Sequence, residues 1–117
     1  MRILTMTATA AIMFATAAFA GNPVGKYAVE GKNPDGKSGY TGTVVVEKTG
    51  DTYKVTWVVG GATYIGTGIG DKNFLAVSYK SGNNTGLALY GEDGASWAGV
   101  WTYHSGRTVG AEIWTRE

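Results

Sequence analysis

The sequence predicts an all-β fold: an antiparallel up-and-down meander of about eight strands, closed into a small barrel. Three observations predict it. Apolar and polar residues alternate with period two along the chain beyond residue 20, as in strands buried on one face. Turn residues interrupt that alternation at roughly the 8–12-residue spacing of a barrel or sandwich. All nineteen Gly lie beyond residue 20, spread rather than clustered, and no amphipathic helical period competes with the strands.

Taken in order, Tyr27 and Val29 alternate with Lys26, Ala28 and Glu30 to give a first strand. Asn33-Pro34-Asp35-Gly36 is a turn, because Pro presets φ and Asp-Gly suits turn geometry. Tyr40, Gly42, Val44 and Val46 then share a face opposite Thr41, Thr43 and Glu47, and Gly50-Asp51 turns the chain. Tyr53, Val55, Trp57 and Val59 face one way and Lys54 and Thr56 the other, up to Gly60-Gly61. In the fourth strand Tyr64, Gly66 and Gly68 oppose Ile65, Thr67 and Ile69, so its inner face is ambiguous. Leu75, Val77 and Tyr79 form the next face; Ser81-Gly82-Asn83-Asn84 leads into Leu87, Ala88, Leu89 and Tyr90. Glu92-Asp93-Gly94 leads into Trp97, Gly99, Trp101 and Tyr103, and Ser105-Gly106-Arg107 into a last strand. There Val109, Ala111 and Ile113 oppose Glu112, Trp114 and Arg116.

Short loops favour neighbouring antiparallel pairs, and closure removes exposed sheet edges. An open sandwich is the alternative. A transmembrane barrel is not expected, since Thr and Lys fill one face of many strands.

Residues 1–20 read as a signal peptide. Arg2 supplies the positive start, a Thr-diluted apolar stretch follows, and Ala18-Phe19-Ala20 is a small-x-small cleavage site before Gly21. The stretch is short against the roughly 20 apolar residues of a span, so no membrane span is expected and the protein is read as periplasmic or secreted. Residues 21–117 then form a single β-barrel domain. Removing Arg2 leaves nine basic and nine acidic residues, a balance that argues against nucleic acid or an anionic membrane as partner. With no Cys, stability rests on packing alone, helped by four Trp.

An aromatic-x-Gly pattern recurs at Tyr40-Thr-Gly42, Tyr64-Ile-Gly66 and Trp97-Ala-Gly99. The ring and the Gly point to one side, and the space left by the Gly is expected to be used by a large ring on the next strand. Aromatics are the one feature in excess, and Tyr40, Trp57, Tyr64, Trp97 and Trp101 are the candidate ligand-binding residues of a barrel mouth. Tyr90 and Trp114 fall on less clearly buried faces and are candidates for a surface contact patch.

Catalytic signals are poor. His104 is the only His, Ser105 beside it points away, and one His without Cys makes no zinc site of the usual kind. Asp35, Asp51, Asp71 and Asp93 are turn residues. Glu112, in a strand, is expected to pair across strands with Lys or Arg. Gly66-Thr-Gly68-Ile-Gly70 precedes no helix and so offers no phosphate cradle. No catalytic residue, metal or cofactor is expected.

The segments Gly25-Lys-Tyr27-Ala-Val-Glu-Gly31, Tyr40-Thr-Gly42, Tyr53-Lys-Val-Thr-Trp57, Phe74-Leu-Ala-Val-Ser-Tyr79, Gly86-Leu-Ala-Leu-Tyr90, Trp97-Ala-Gly99-Val-Trp101 and Gly110-Ala-Glu112-Ile-Trp114 span nearly the whole domain. Together they resemble short exported proteobacterial proteins labelled fibronectin-binding, a resemblance that implies adhesion to a matrix protein. More distantly, the Trp/Tyr-x-Gly strands are similar to the avidin and calycin barrels, which implies a small ligand at an open mouth. The chain is shorter than those families, and no ligand-contact set carries over.

The expected function is therefore a non-catalytic binding module for an unidentified small molecule. The alternative is a protein-contact role, adhesin-like or inhibiting a wall-acting enzyme, through loop residues such as Asn83, Asn84 and Arg107. A small hydrolase or isomerase built on His104 and Glu112 is the third reading. A monomer and a dimer are both compatible with the sequence.

Overall fold

The computed structural model describes residues 22–117, so the expected signal segment and its cleavage point lie outside the described residues. Eight strands follow one another: β1 (Gly25–Lys32), β2 (Gly39–Thr49), β3 (Thr52–Val59), β4 (Ala62–Gly70), β5 (Phe74–Ser81), β6 (Asn84–Asp93), β7 (Ser96–Tyr103) and β8 (Gly110–Arg116). Each pairs antiparallel with the next, and β8 pairs back onto β1 from Tyr27↔Arg116 to Lys32↔Ala111. The meander is thus a closed barrel, and the open sandwich does not form.

The turns form for local reasons. Val59 and Ala62 are joined by Gly60-Gly61, whose φ of +57° and +81° define the doubly left-handed turn that matches strand twist. In the longer β1–β2 loop the Asp35 carboxylate accepts hydrogen bonds from the backbone N–H of Lys37 and Ser38 and from the Ser38 hydroxyl. These bonds hold the Asp35 carboxyl below its usual range.

Alternation decides what fills the interior. Tyr27, Val29, Val44, Val46, Tyr53, Val55, Leu75 and Val77 are buried, as their periodicity predicts. On β4 the ambiguity resolves with Gly66 and Gly68 inward and Ile65 and Ile69 outward. Tyr90 and Trp114 are not surface residues: they are 1% and 0% exposed. The pairing dictates this, because Tyr90 faces Leu75 on one side and Gly99 on the other, while Leu87 and Leu89 take the outer positions. A narrow barrel needs small and large residues in alternation inside, and Gly86, Ala88 and Tyr90 meet that need better than two leucines.

The end of the barrel where β1 begins and β8 finishes is closed. Pro23 is fully buried, and the Tyr27 hydroxyl donates to its carbonyl at 2.7 Å. The Arg116 guanidinium donates to the carbonyls of Val24 (3.0 Å) and Asn22 and lies 4.9 Å from the Tyr27 ring centre. Burial raises the Tyr27 phenol, and the Arg116 charge partly offsets it. Among the described residues no helix is long and apolar enough to cross a membrane.

The outer surface is divided. Lys26, Glu30, Lys32, Glu47 and Lys54 stud β1 to β3. Across β4 to β8, in contrast, Ile69, Phe74, Leu87, Leu89, Val100 and Ile113 stand exposed. Ile69, Ala76, Leu89, Val100 and Ala111 are successive cross-strand partners, so this apolar face is continuous.

Candidate functional site

The site grows from one row of residues running across five strands inside the barrel. Tyr40 on β2 pairs with Gly31 on β1, Gly31 with Glu112 on β8, Glu112 with Gly99 on β7, and Gly99 with Tyr90 on β6. Both neighbours of the carboxylate in this row are glycines, and both are overlaid by the tyrosine beyond. A Cβ on Gly31 would fall 2.1 Å from the Tyr40 ring, and one on Gly99 would fall 2.5 Å from the Tyr90 ring. The missing side chains let each phenol lean across its glycine and reach Glu112.

The carboxylate is a hydrogen-bond hub. Its Oε1 accepts from the Tyr90 hydroxyl at 2.8 Å, Trp114 Nε1 at 2.9 Å and Trp57 Nε1 at 3.2 Å. Its Oε2 accepts from the Tyr40 hydroxyl at 2.5 Å. Glu112 is 6% exposed, and burying it is tolerable because charge-assisted donors replace water. The expected cross-strand pair with Lys or Arg does not form, since Glu112 points inward with Trp114 rather than outward with Ala111 and Ile113. Burial, followed by the charge of Glu112, pushes the phenols of Tyr40 and Tyr90 well above their ordinary value. Burial, then its neighbours Tyr103 and Glu112, pushes Tyr79 up to about 12.

Glu112 lies at the floor of a cavity of about 410 Å³ that opens between the β1–β2, β5–β6 and β7–β8 loops. The rings of Tyr40, Trp57, Tyr64, Tyr79, Trp101 and Tyr103 wall it, and Asn33, Asn84 and Thr85 stand among them. The rings brace one another edge to face: Trp57 on Tyr79 at 5.8 Å, Tyr64 on Tyr79 at 6.1 Å and Tyr40 on Trp101 at 6.1 Å between centres. The Tyr79 hydroxyl is fixed by the Thr102 carbonyl at 3.1 Å. Trp101 Nε1 is buried and meets no acceptor among the described residues. The barrel is therefore filled in its closed half and hollow in its open half.

Of the residues singled out from the sequence, Tyr40, Trp57, Tyr64 and Trp101 share this cavity. Trp97 does not line it: it is 1% exposed, packed in the closed half opposite Trp114 and Glu92. The ring-over-glycine expectation holds at Gly99, covered by Tyr90, and only in part at Gly66, whose Cβ would meet Val77 at 2.5 Å and the Ser78 carbonyl at 3.0 Å before the Trp57 ring at 3.3 Å. It does not hold at Gly42, where Val59 and the Val58 carbonyl take the space. Tyr79, Tyr90 and the hub role of Glu112 went unrecognised, although Glu112-x-Trp114 in a period-two strand shares a face with buried aromatics.

His104 is exposed in the loop after β7, its backbone N–H bonded to the Thr85 carbonyl at 2.9 Å, and it does not line the cavity with Glu112. Ser105 beside it takes a left-handed φ of 62°. Among the described residues no group of three or more His, Cys, Asp or Glu is placed to hold a metal ion.

Fold and site together define a class: a closed eight-stranded meander barrel with one end plugged and an aromatic, carboxylate-floored cup at the other. No protein-family model matches the chain, and no curated protein matches it.

Proposed function

We propose that the chain is a non-catalytic exported binding module that takes a small molecule into the mouth of its barrel. The observation that carries this reading is the cup itself. Its volume of about 410 Å³ falls in the roughly 300–1,000 Å³ range of small-molecule sites. Its walls are apolar rings with a few convergent polar groups. Rings braced edge to face lose little freedom when a ligand arrives, which favours binding. A non-catalytic role is supported by the lining, where among the described residues Glu112 is the one carboxylate and no His, Lys or Cys lines the cup with it as acid, base or nucleophile.

Native mass spectrometry of the protein, purified gently from the cells that make it, tests the proposal. A retained non-covalent mass of about a few hundred daltons, the size such a cup holds, is the expected result. A bare mass, with tryptophan fluorescence unmoved by a broad small-molecule panel, would place the function on the outer face or the loops.

The second reading, a protein-contact role, is favoured by the apolar face of β4 to β8. Its large side chains are 43–64% exposed, and one unbroken cross-strand row of apolar residues runs from Ile69 to Ala111. The occupant that this face fits is a second copy of the chain, face to face about a two-fold axis. Light scattering should then find a dimer that Leu89→Lys converts to monomer. A wild-type monomer at high concentration excludes it.

A further inference from the structure

We propose that the ligand of the cup is an organic cation, a small molecule whose protonated amine points at Glu112 while its carbon skeleton lies among the rings. This rests on the cavity-binding reading above and names the ligand class for it.

Three features of the cup converge on that class. The first is the acceptor count at the floor. A carboxylate offers about four acceptor positions, two on each oxygen. Oε1 already takes three donors, whereas among the described residues Oε2 takes the Tyr40 hydroxyl alone. One good position is left, on the oxygen shared with Tyr40, and it calls for a donor.

The second is charge. Glu112 lines the cavity, and no Lys, Arg or His lines it with Glu112 among the described residues. The hub donors are neutral indoles and phenols, so they solvate the carboxylate without cancelling its charge. The raised Tyr40, Tyr79 and Tyr90 phenols stay protonated through neutral pH and add no second negative charge. A cation brought beside this carboxylate supplies the counter-charge that its neutral donors do not, and the remaining position on Oε2 gives the pair a hydrogen bond as well.

The third is the walls. Tyr40, Trp57, Tyr64, Tyr79, Trp101 and Tyr103 present rings whose faces carry the negative end of the aromatic quadrupole. An ammonium within reach of such faces is attracted by that negative charge, and its neutral counterpart is not. An anion meets repulsion from both floor and walls, and a metal ion finds a single carboxylate where it needs several ligands.

An isosteric series tests this by calorimetry, with tryptophan fluorescence as a second readout: phenethylamine, 2-phenylethanol and 3-phenylpropionate, with methylammonium and tetramethylammonium beside them. An ammonium probe is expected to bind about tenfold or more tighter than the alcohol, with the carboxylate probe weakest. Glu112→Gln keeps an oxygen for Tyr90, Trp57 and Trp114 and places its amide nitrogen against Tyr40, so it should erase the preference for charge. Tyr64→Leu, away from the hub, should weaken the ammonium probe more than the alcohol, and it serves if the Gln variant does not fold. Alcohol or carboxylate binding as tightly as the amine overturns the cation inference and leaves the cavity reading standing. Failure of every probe up to about 10 mM, an affinity of only about 3 kcal/mol, overturns the cation inference, and a bare native mass beside it overturns the cavity reading too.

Discussion

Replacing Glu112 with Ala separates a hub from a bystander. The substitution strands four donors: the Tyr90 and Tyr40 hydroxyls and the indole N–H groups of Trp114 and Trp57. Tyr90 and Trp114 are 1% and 0% exposed, so water does not reach them easily. An orphaned buried donor costs about 1–3 kcal/mol. Tyr40 borders the cup and recovers much of its bond from solvent, and losing a buried charge returns some desolvation energy. The net expectation for Glu112→Ala is a loss of about 3–5 kcal/mol, a large share of the ~5–15 kcal/mol that holds a typical domain. Glu112→Gln should cost only about 1–2 kcal/mol, since an amide oxygen still serves the crowded side. Urea unfolding followed by tryptophan fluorescence measures both, with an unchanged m-value showing that the folded and unfolded states stay comparable. An Ala variant within about 1 kcal/mol of wild type, below the cost of one stranded donor, would show that the carboxylate does not hold these donors in the fold. A Gln variant that falls as far as Ala would show that an amide oxygen does not serve in its place.

Three further outcomes follow from the same structure. Gly99→Ala puts a Cβ 2.2 Å from the Leu89 carbonyl oxygen and 2.5 Å from the Tyr90 ring, which should cost about 2–3 kcal/mol by overpacking. Gly91→Ala, nearby in the sheet but with nothing within 4 Å of the new Cβ, should be neutral or stabilise by up to about 1 kcal/mol; thermal melts of the two side by side check the contrast. In alkali, the raised phenols of Tyr40, Tyr79 and Tyr90 favour the folded state fully below the ordinary tyrosine value of about 10. That stability drains as pH rises through the folded values, near 12 for Tyr79. Tyrosinate absorbance should therefore stop short of all seven tyrosines until near-ultraviolet circular dichroism collapses. Complete titration with a native spectrum intact contradicts it. Arg116→Met removes the bonds to the Val24 and Asn22 carbonyls and should cost about 1–3 kcal/mol, visible as earlier melting and faster proteolysis near the N-terminus.

Strand order and closure were legible because the turn chemistry and the period-two alternation agree along the whole domain. Gly60-Gly61 and the Asp35 loop carry their geometry in their residue types. The facing of β6 and β8 was not legible. Ranking residues by hydrophobicity puts Leu87 and Leu89 inside, and it puts Ala111 and Ile113 inside in place of a glutamate. Width overrules that ranking: a narrow barrel admits Ala88 and two glycines beside its rings, and four donors make a carboxylate acceptable in its core. Four aromatic cup residues could be singled out from composition, because a surplus of rings must go somewhere. Trp97 could not be told from them, since its depth along the barrel depends on register, which the sequence does not spell out.

Both ends of the domain meet at the plugged base, where β1 begins and β8 finishes side by side. The mouth faces the opposite way. A tag, a surface tether or a fusion partner joined directly at residue 22 or after Glu117 therefore starts from the end opposite the opening. Molecules immobilised through either of these two points would turn their cups away from the support. A linker inserted between β7 and β8 would instead stand at the rim of the cup.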